Sequence, residues 1–281
     1  MSEAEGTSST KEFYLKRINR IYPPLLLALA ISTLLHLRGA IPTPFRISEL
    51  IGTLFSLQDI SSLKPGVISN PYLGNAPLWS LSYEMFFYAM YPIIRNIGIH
   101  NRRLYNLTPI LISVSGMTTY LIYPNHLSLV AGYLVVWWIG FRYTELWMQP
   151  KDVRFLLIGI LIIFSILYLY CLNHGFGGFG IFPGLFLRHF AFVLFLSLFS
   201  KLSKFRKLVS SFLDLTKPLS KLANISYGIY ILHFPFLIQW PSRTDSELTF
   251  HIFLCFISAY LIESKKWNPL YMKTQDKRIQ Y

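Results

Sequence analysis

Apolar residues in this chain come in long, almost unbroken runs separated by short polar and basic stretches. Eight runs, near residues 21–37, 79–97, 106–123, 127–142, 155–172, 181–200, 222–240 and 248–264, predict helices. A straight crossing of a bilayer takes about 20 residues. The pattern therefore predicts an all-α, polytopic transmembrane bundle of about eight spans. A further run, Leu50–Leu57, is too short to cross and reads as a re-entrant or interfacial piece. It lies within segment 38–78, whose Pro42, Pro44, Pro65, Gly66, Pro71, Gly74 and Pro77 mark it as loop-like. The organisation is a polar N-terminal segment, 1–12, one transmembrane domain, 13–264, and a basic tail, 265–281. Residues 1–12 show no apolar stretch behind a basic one, so no cleavable signal peptide is read there. The first helix itself then directs insertion.

Composition agrees. Of 281 residues, 53% are hydrophobic and only 14% charged, with mean hydropathy +0.43; a soluble domain carries about 25% charge. The net charge of +13 would suit a nucleic-acid partner only if the bases clustered on a soluble module. They follow topology instead. One set of loops holds Lys11, Lys16, Arg17 and Arg20, then Arg95, Arg102 and Arg103, then Arg142, Lys151 and Arg154. Lys201, Lys204, Arg206, Lys207, Lys217 and Lys221 come next, and Lys265, Lys266, Lys273, Lys277 and Arg278 close the series. The opposite loops keep Arg38, Arg46, Lys64, Arg188 and Arg243. With the positive-inside rule, this asymmetry puts both termini in the cytoplasm. Nucleic acid is excluded as a partner, and the lipid bilayer takes its place. Cys171 and Cys255 both sit in apolar runs and read as small buried residues, with no disulfide framework and no metal-ligand spacing.

Within the apolar run APLWSLSYEMFFYAMYP (Ala76–Pro92) stands one acid, Glu84. An ionisable side chain there costs about 2.5–3.5 kcal/mol on insertion scales, so it points to a function. Ser80, Glu84, Phe87, Tyr88 and Tyr91 recur at three- and four-residue spacing and share a helical face turned into the bundle. The Glu84 carboxylate can take a proton, hold an imidazolium, pair with an arginine, or simply bond a neighbouring helix. FYLKRINRIYPP (Phe13–Pro24) sets Arg17 and Arg20 one turn apart before the first span, an arrangement that suits phosphate capture or topology anchoring. ANISYGIYILHFPF (Ala223–Phe236) puts Ser226, Tyr230 and His233 on one face, with Pro235 loosening the helix beside His233. His233 reads as a base or as a hydrogen-bonded core residue. Arg188 and His189 form a pair in the sixth run, where Arg188 can partner Glu84, hold an anionic substrate or anchor the interface. His36 and His174 lie near outer ends of spans, His174 in the Gly-rich turn NHGFGGFG. His100, His126 and His251 read as loop or helix-end residues.

The three blocks, in this order, resemble the acyltransferase 3 family of integral-membrane acyltransferases. Trp79, Ser80, Leu81 and Glu84 match its W-S-L-x-x-E motif. Arg17 and Arg20 match its R-x-x-R segment, and Ser226, Tyr227, Tyr230 and His233 its S-Y-x-x-Y-x-x-H segment. The resemblance covers nearly the whole chain. It implies transfer of an acyl group, acetyl above all, from acyl-CoA to a hydroxyl of a surface carbohydrate or glycolipid, in the bacterial inner (cell) membrane. No bound cofactor and no metal are implied; acyl-CoA is the donor substrate. Glu84 and His233 are then the candidate catalytic residues, with Glu84 orienting or charge-stabilising a histidine. Arg17, Arg20, Trp79, Ser80, Tyr88, Arg188, Ser226 and Tyr230 are the candidate substrate-binding residues. The family's first two spans usually carry an Arg followed eleven residues later by a His, and no such pair occurs here. The resemblance thus implies a member that begins just before the family's third span, with three readings open: a truncated product, inactive alone, a chain begun at a late start codon, or a degenerate paralogue. The alternative is a non-catalytic polytopic protein, either a transporter of lipid-linked sugars or an inactive scaffold.

Overall fold

The computed structural model describes residues 9–146, 153–199, 207, 211–212 and 222–263. The expected basic tail, 265–281, and most bases of the segment before Ala223 lie outside the described residues. Ten helices carry the rest: α1 (Thr10–Leu37), α2 (Ile47–Leu54), α3 (Trp79–His100), α4 (Arg102–Ile122), α5 (His126–Gly132), α6 (Leu134–Leu146), α7 (Val153–His174), α8 (Gly184–Phe199), α9 (Ser226–His233) and α10 (Asp245–Glu263). Among the described residues there is no β-strand; Gln58 and Ser69 form an isolated parallel bridge. Among the described residues, each of the eight apolar runs is largely helical. By length and composition, Thr10–Leu37, Phe155–His174 and Asp245–Glu263 are long and apolar enough to cross a bilayer.

α1 starts well before the apolar run does. Ser9 and Glu12 stand three apart, and the Ser9 hydroxyl accepts the Glu12 N–H at 3.2 Å, capping the first turn. Pro23 and Pro24 lie inside the helix without ending it. Two other runs are broken. Residues 127–142 divide into α5 and α6 at Tyr133, where the Ser113 hydroxyl substitutes for lost backbone partners. It accepts the Val135 N–H at 2.7 Å and donates to the Ala131 carbonyl at 3.2 Å. Residues 222–240 become α9 followed by a π-helical turn, Phe234–Gln239, because Pro235 has no N–H to give the α-helical ladder.

The chain forms two compact units. Among the described residues, the first comprises 52–70, 79–146, 153–199 and 207; the second comprises 9–51, 71–78, 211–212 and 222–263. In the first, α4 is the hub and packs on α3, α5, α6 and α7. Aromatic rings at four-residue spacing zip α3 to α6: Tyr83 meets Tyr133 edge-on (5.3 Å), Phe87 stacks on Trp137 (5.5 Å) and Tyr91 meets Phe141 (5.3 Å). Such pairs add about 0.5–1.5 kcal/mol each beyond the area they bury. In the second unit, α1 packs on α9, the π turn and α10. Ile21, Leu25, Ala28 and Ser32 form its buried stripe. Buried Ser32 donates to Gln239 Oε1 (2.8 Å), and Gln239 Nε2 donates to the Leu73 carbonyl (2.7 Å).

The loop of residues 55–70 is well anchored within the first unit. Tyr120 donates to the Pro65 carbonyl at 2.6 Å, and the Phe182 N–H to the Leu63 carbonyl at 2.9 Å. Gly66 turns with φ +74°, and a Cβ there would lie 2.3 Å from the Pro124 carbonyl oxygen. Only glycine fits both conditions.

Candidate functional site

α3 presents two adjoining stripes. Tyr83, Phe87, Tyr91 and Ile94 are buried, while Ser80, Glu84 and Tyr88 beside them are half-buried. The expected shared face is therefore divided: Phe87 and Tyr91 belong to the packed stripe and the polar residues to its edge. Tyr88 donates to Glu84 Oε1, one turn away. Among the described residues Oε2 makes no hydrogen bond, and Glu84 forms no ion pair. The suggested Arg188–Glu84 pair is thus not formed, since Arg188 is exposed on α8 and Glu84 is engaged with Tyr88. His189, next to Arg188, bonds through Nδ1 to the Tyr133 hydroxyl at 2.9 Å.

The start of α3 rests on a charged pair that the sequence reading left in a loop. Lys64 Nζ donates to both Asp59 oxygens at 2.8 Å. The Tyr83 hydroxyl donates to Asp59 Oδ2 at 2.6 Å and accepts from Lys64 Nζ at 3.1 Å. The ammonium also lies 4.4 Å from the Trp79 ring centroid, within cation–π range. Burial pushes the Lys64 ammonium below the usual lysine range, and the Asp59 carboxylate opposes that shift. Trp79, a candidate substrate-binding residue, is half-buried and carries the Lys64 ammonium over its ring. The signal was present: Asp59 and Lys64 are the only charged residues between Glu49 and Glu84.

The second unit holds the other candidates. The Arg17 guanidinium lies over the Phe13 ring at 5.2 Å. Arg20, one turn on, is exposed and within electrostatic reach of Glu263 at the end of α10. Glu263 also accepts the Gly228 N–H through Oε2 at 2.7 Å, near the N-terminus of α9. A Cβ on Gly228 would lie 2.8 Å from that oxygen and 3.0 Å from Ala259 Cβ, so the close approach of α9 and α10 requires glycine. Ser226 donates to the Ala223 carbonyl (2.9 Å) and Tyr230 to the Pro77 carbonyl (2.9 Å), so both hydroxyls serve the backbone. His233 is half-buried, and its Nδ1 lies 2.6 Å from the Tyr230 carbonyl oxygen. A carbonyl only accepts, so the neutral ring carries its proton on Nδ1 and offers the Nε2 lone pair. Two histidines read as helix ends are buried. His126 opens α5, and His251 lies inside α10 with its ring 4.4 Å from that of Trp240. His174 closes α7, its ring stacked on Tyr170 at 4.2 Å.

The three sequence blocks therefore divide, Glu84 with Trp79, Ser80, Tyr88 and Arg188 in one unit, and Arg17, Arg20, Ser226, Tyr230 and His233 in the other. Residues 1–269 match the family model of the acyltransferase 3 group, described as an acyltransferase domain. The chain belongs to the acyltransferase 3 family. Comparison with curated proteins and with solved structures finds no match. Family and apolar helices together make this acyltransferase 3 chain an integral membrane protein of the acyltransferase class. Its motif residues now have local partners: Trp79 under Lys64, Glu84 bonded by Tyr88, and His233 fixed by the Tyr230 carbonyl.

Proposed function

We propose that this chain moves an acyl group, acetyl first among them, from acyl-CoA to a hydroxyl of a surface carbohydrate or glycolipid. The observation that carries the reading is Glu84: a half-buried carboxylate on the motif helix, held through one oxygen by Tyr88. In this reaction the acceptor oxygen attacks the thioester carbonyl carbon. The C–S bond breaks, CoA leaves as its thiol, and the hydroxyl proton passes to a base. His233 Nε2 is such a base in its own unit. Glu84 stabilises an imidazolium or takes a proton in the other. Arg17 and Arg20 offer guanidinium groups of the kind that bind the CoA phosphates. The bacterial inner membrane is the proposed setting.

A second reading, from a different class, is a non-catalytic polytopic protein, either a transporter of lipid-linked sugars or an inactive scaffold. Donor binding separates the two. The purified chain in lipid nanodiscs is expected to bind acetyl-CoA saturably. A charge-assisted hydrogen bond contributes about 1.5–3 kcal/mol, so Arg17→Ala/Arg20→Ala is expected to weaken binding about tenfold or more. Absence of saturable binding by the unaltered chain removes the acyl-CoA assignment. Movement of a lipid-linked sugar without acetyl-CoA binding establishes the transporter reading.

A further inference from the structure

Asp59 and Lys64 are both buried, with side chains 0% and 4% exposed. A pair so placed contributes little net stability, because desolvating two charges offsets most of their attraction. Apolar residues of similar volume would fill the space as well. The charges do something that apolar residues would not: between them they bond or cover side chains of the first two turns of α3. Lys64 Nζ lies 4.4 Å from the Trp79 ring centroid and 5.1 Å from that of Tyr83. It donates to the Tyr83 hydroxyl at 3.1 Å, and that hydroxyl donates to Asp59 at 2.6 Å. Trp79 and Tyr83 stand four residues apart, so they lie one turn apart on the same side of the helix. Two anchored points fix the depth of α3 and its rotation about its own axis. Glu84 follows Tyr83 directly, about 100° further round at 3.6 residues per turn. The far side of Tyr83 is held too, edge-on against Tyr133, whose hydroxyl bonds His189.

The pair is itself held by backbone. The Asp59 N–H donates to the Ser69 carbonyl at 2.9 Å, and Asp59 Oδ1 accepts the Ile60 N–H at 2.7 Å. The Lys64 N–H closes a turn onto the Ile60 carbonyl at 3.2 Å. The frame is therefore a rigid loop, and α3 is registered against it.

We propose that Asp59 and Lys64 are positioning residues that set the rotation of the first turn of α3 and so the aim of the Glu84 carboxylate. The turnover arm of the test rests on the acyl-transfer reading; the labelling arm does not. Hydrophobic carbodiimides attack carboxyl groups in apolar surroundings, and peptide mapping by mass spectrometry follows Glu84 alone. The variant is Asp59→Leu/Lys64→Met, which removes both charges together and leaves neither stranded. It is expected to accumulate like the unaltered chain. Its Glu84 labelling is expected to change several-fold, because a turned helix re-aims the carboxylate towards different surroundings while the Glu84–Tyr88 bond, made within α3, turns with it. Its kcat is expected to fall about tenfold or more with the KM for acetyl-CoA unchanged, since small misplacement of a reacting group costs up to about 10²-fold.

Tyr83→Phe keeps the ion pair paired and removes one hydroxyl; it is expected to shift labelling the same way by less. Unchanged Glu84 labelling in the folded double variant overturns the proposal. If the double variant does not accumulate, Tyr83→Phe decides, and unchanged labelling there overturns it. If no preparation transfers acyl groups, the acyl-transfer reading fails by itself and the labelling still decides the positioning role.

Discussion

Glu84→Gln is expected to lower acyl transfer by about 10²–10⁴-fold, the range that one acid–base group contributes, while the folded protein in the membrane stays at its usual level. The reasoning separates charge from shape. Glutamine has the same length and volume, and its amide oxygen accepts the Tyr88 hydroxyl as the carboxylate Oε1 does. Among the described residues nothing else bonds Glu84. The substitution strands no partner and opens no cavity, so stability has no reason to change. What disappears is the negative charge and the ability to hold a proton. Neither can be replaced by an amide when an imidazolium forms or a proton moves. Turnover measured at matched protein levels checks this. Unchanged turnover removes Glu84 from the mechanism; loss of the protein itself makes Glu84 a packing carboxylate.

Lys64→Met alone is expected to destabilise the protein by about 3–5 kcal/mol, the cost of leaving one member of a buried pair uncompensated. Methionine matches the lysine stem in length, so packing is kept and the effect is electrostatic. Asp59, 0% exposed, would keep its Tyr83 and Ile60 donors but lose the ammonium that neutralises it. A kcal/mol moves the midpoint of a domain this large by about 2–4 °C, so thermal denaturation in detergent should begin roughly 10 °C lower. The contrast with the paired double replacement is the informative part. If the single change is as mild as the double one, the Asp59–Lys64 interaction contributes nothing beyond volume.

Much of the helical plan was legible because membrane helices are marked by unbroken apolar runs. Each predicted run is largely helical among the described residues, and Glu84 stood out because an acid in such a run is costly. Boundaries were less legible. The Ser9 N-cap extends α1 back through polar residues, and hydropathy alone does not see a cap. The break at Tyr133 depends on the Ser113 hydroxyl from another helix, eighteen or more residues away in sequence. The charged residues of the loops read as outer looked alike in sequence. Lys64 counted as one of five outer bases, yet it is buried on Asp59, because pairing across a turn is a tertiary fact. Trp79 and Tyr230, read as candidate substrate-binding residues, have partners that spacing does not reveal: Trp79 lies under Lys64, and the Tyr230 hydroxyl is engaged with the Pro77 carbonyl. Motif spacing shows which residues share a face, and it does not show what that face meets.

The most direct test of acyl transfer follows both halves of the donor. Vesicles holding the chain, alone or with a co-expressed helix pair carrying Arg and His eleven residues apart, receive acetyl-CoA labelled in the acetyl group. The account predicts label on carbohydrate or glycolipid hydroxyls and one free CoA thiol per acetyl group transferred, in at least one preparation. No label on any acceptor in either preparation, with the chain folded and present, would contradict it.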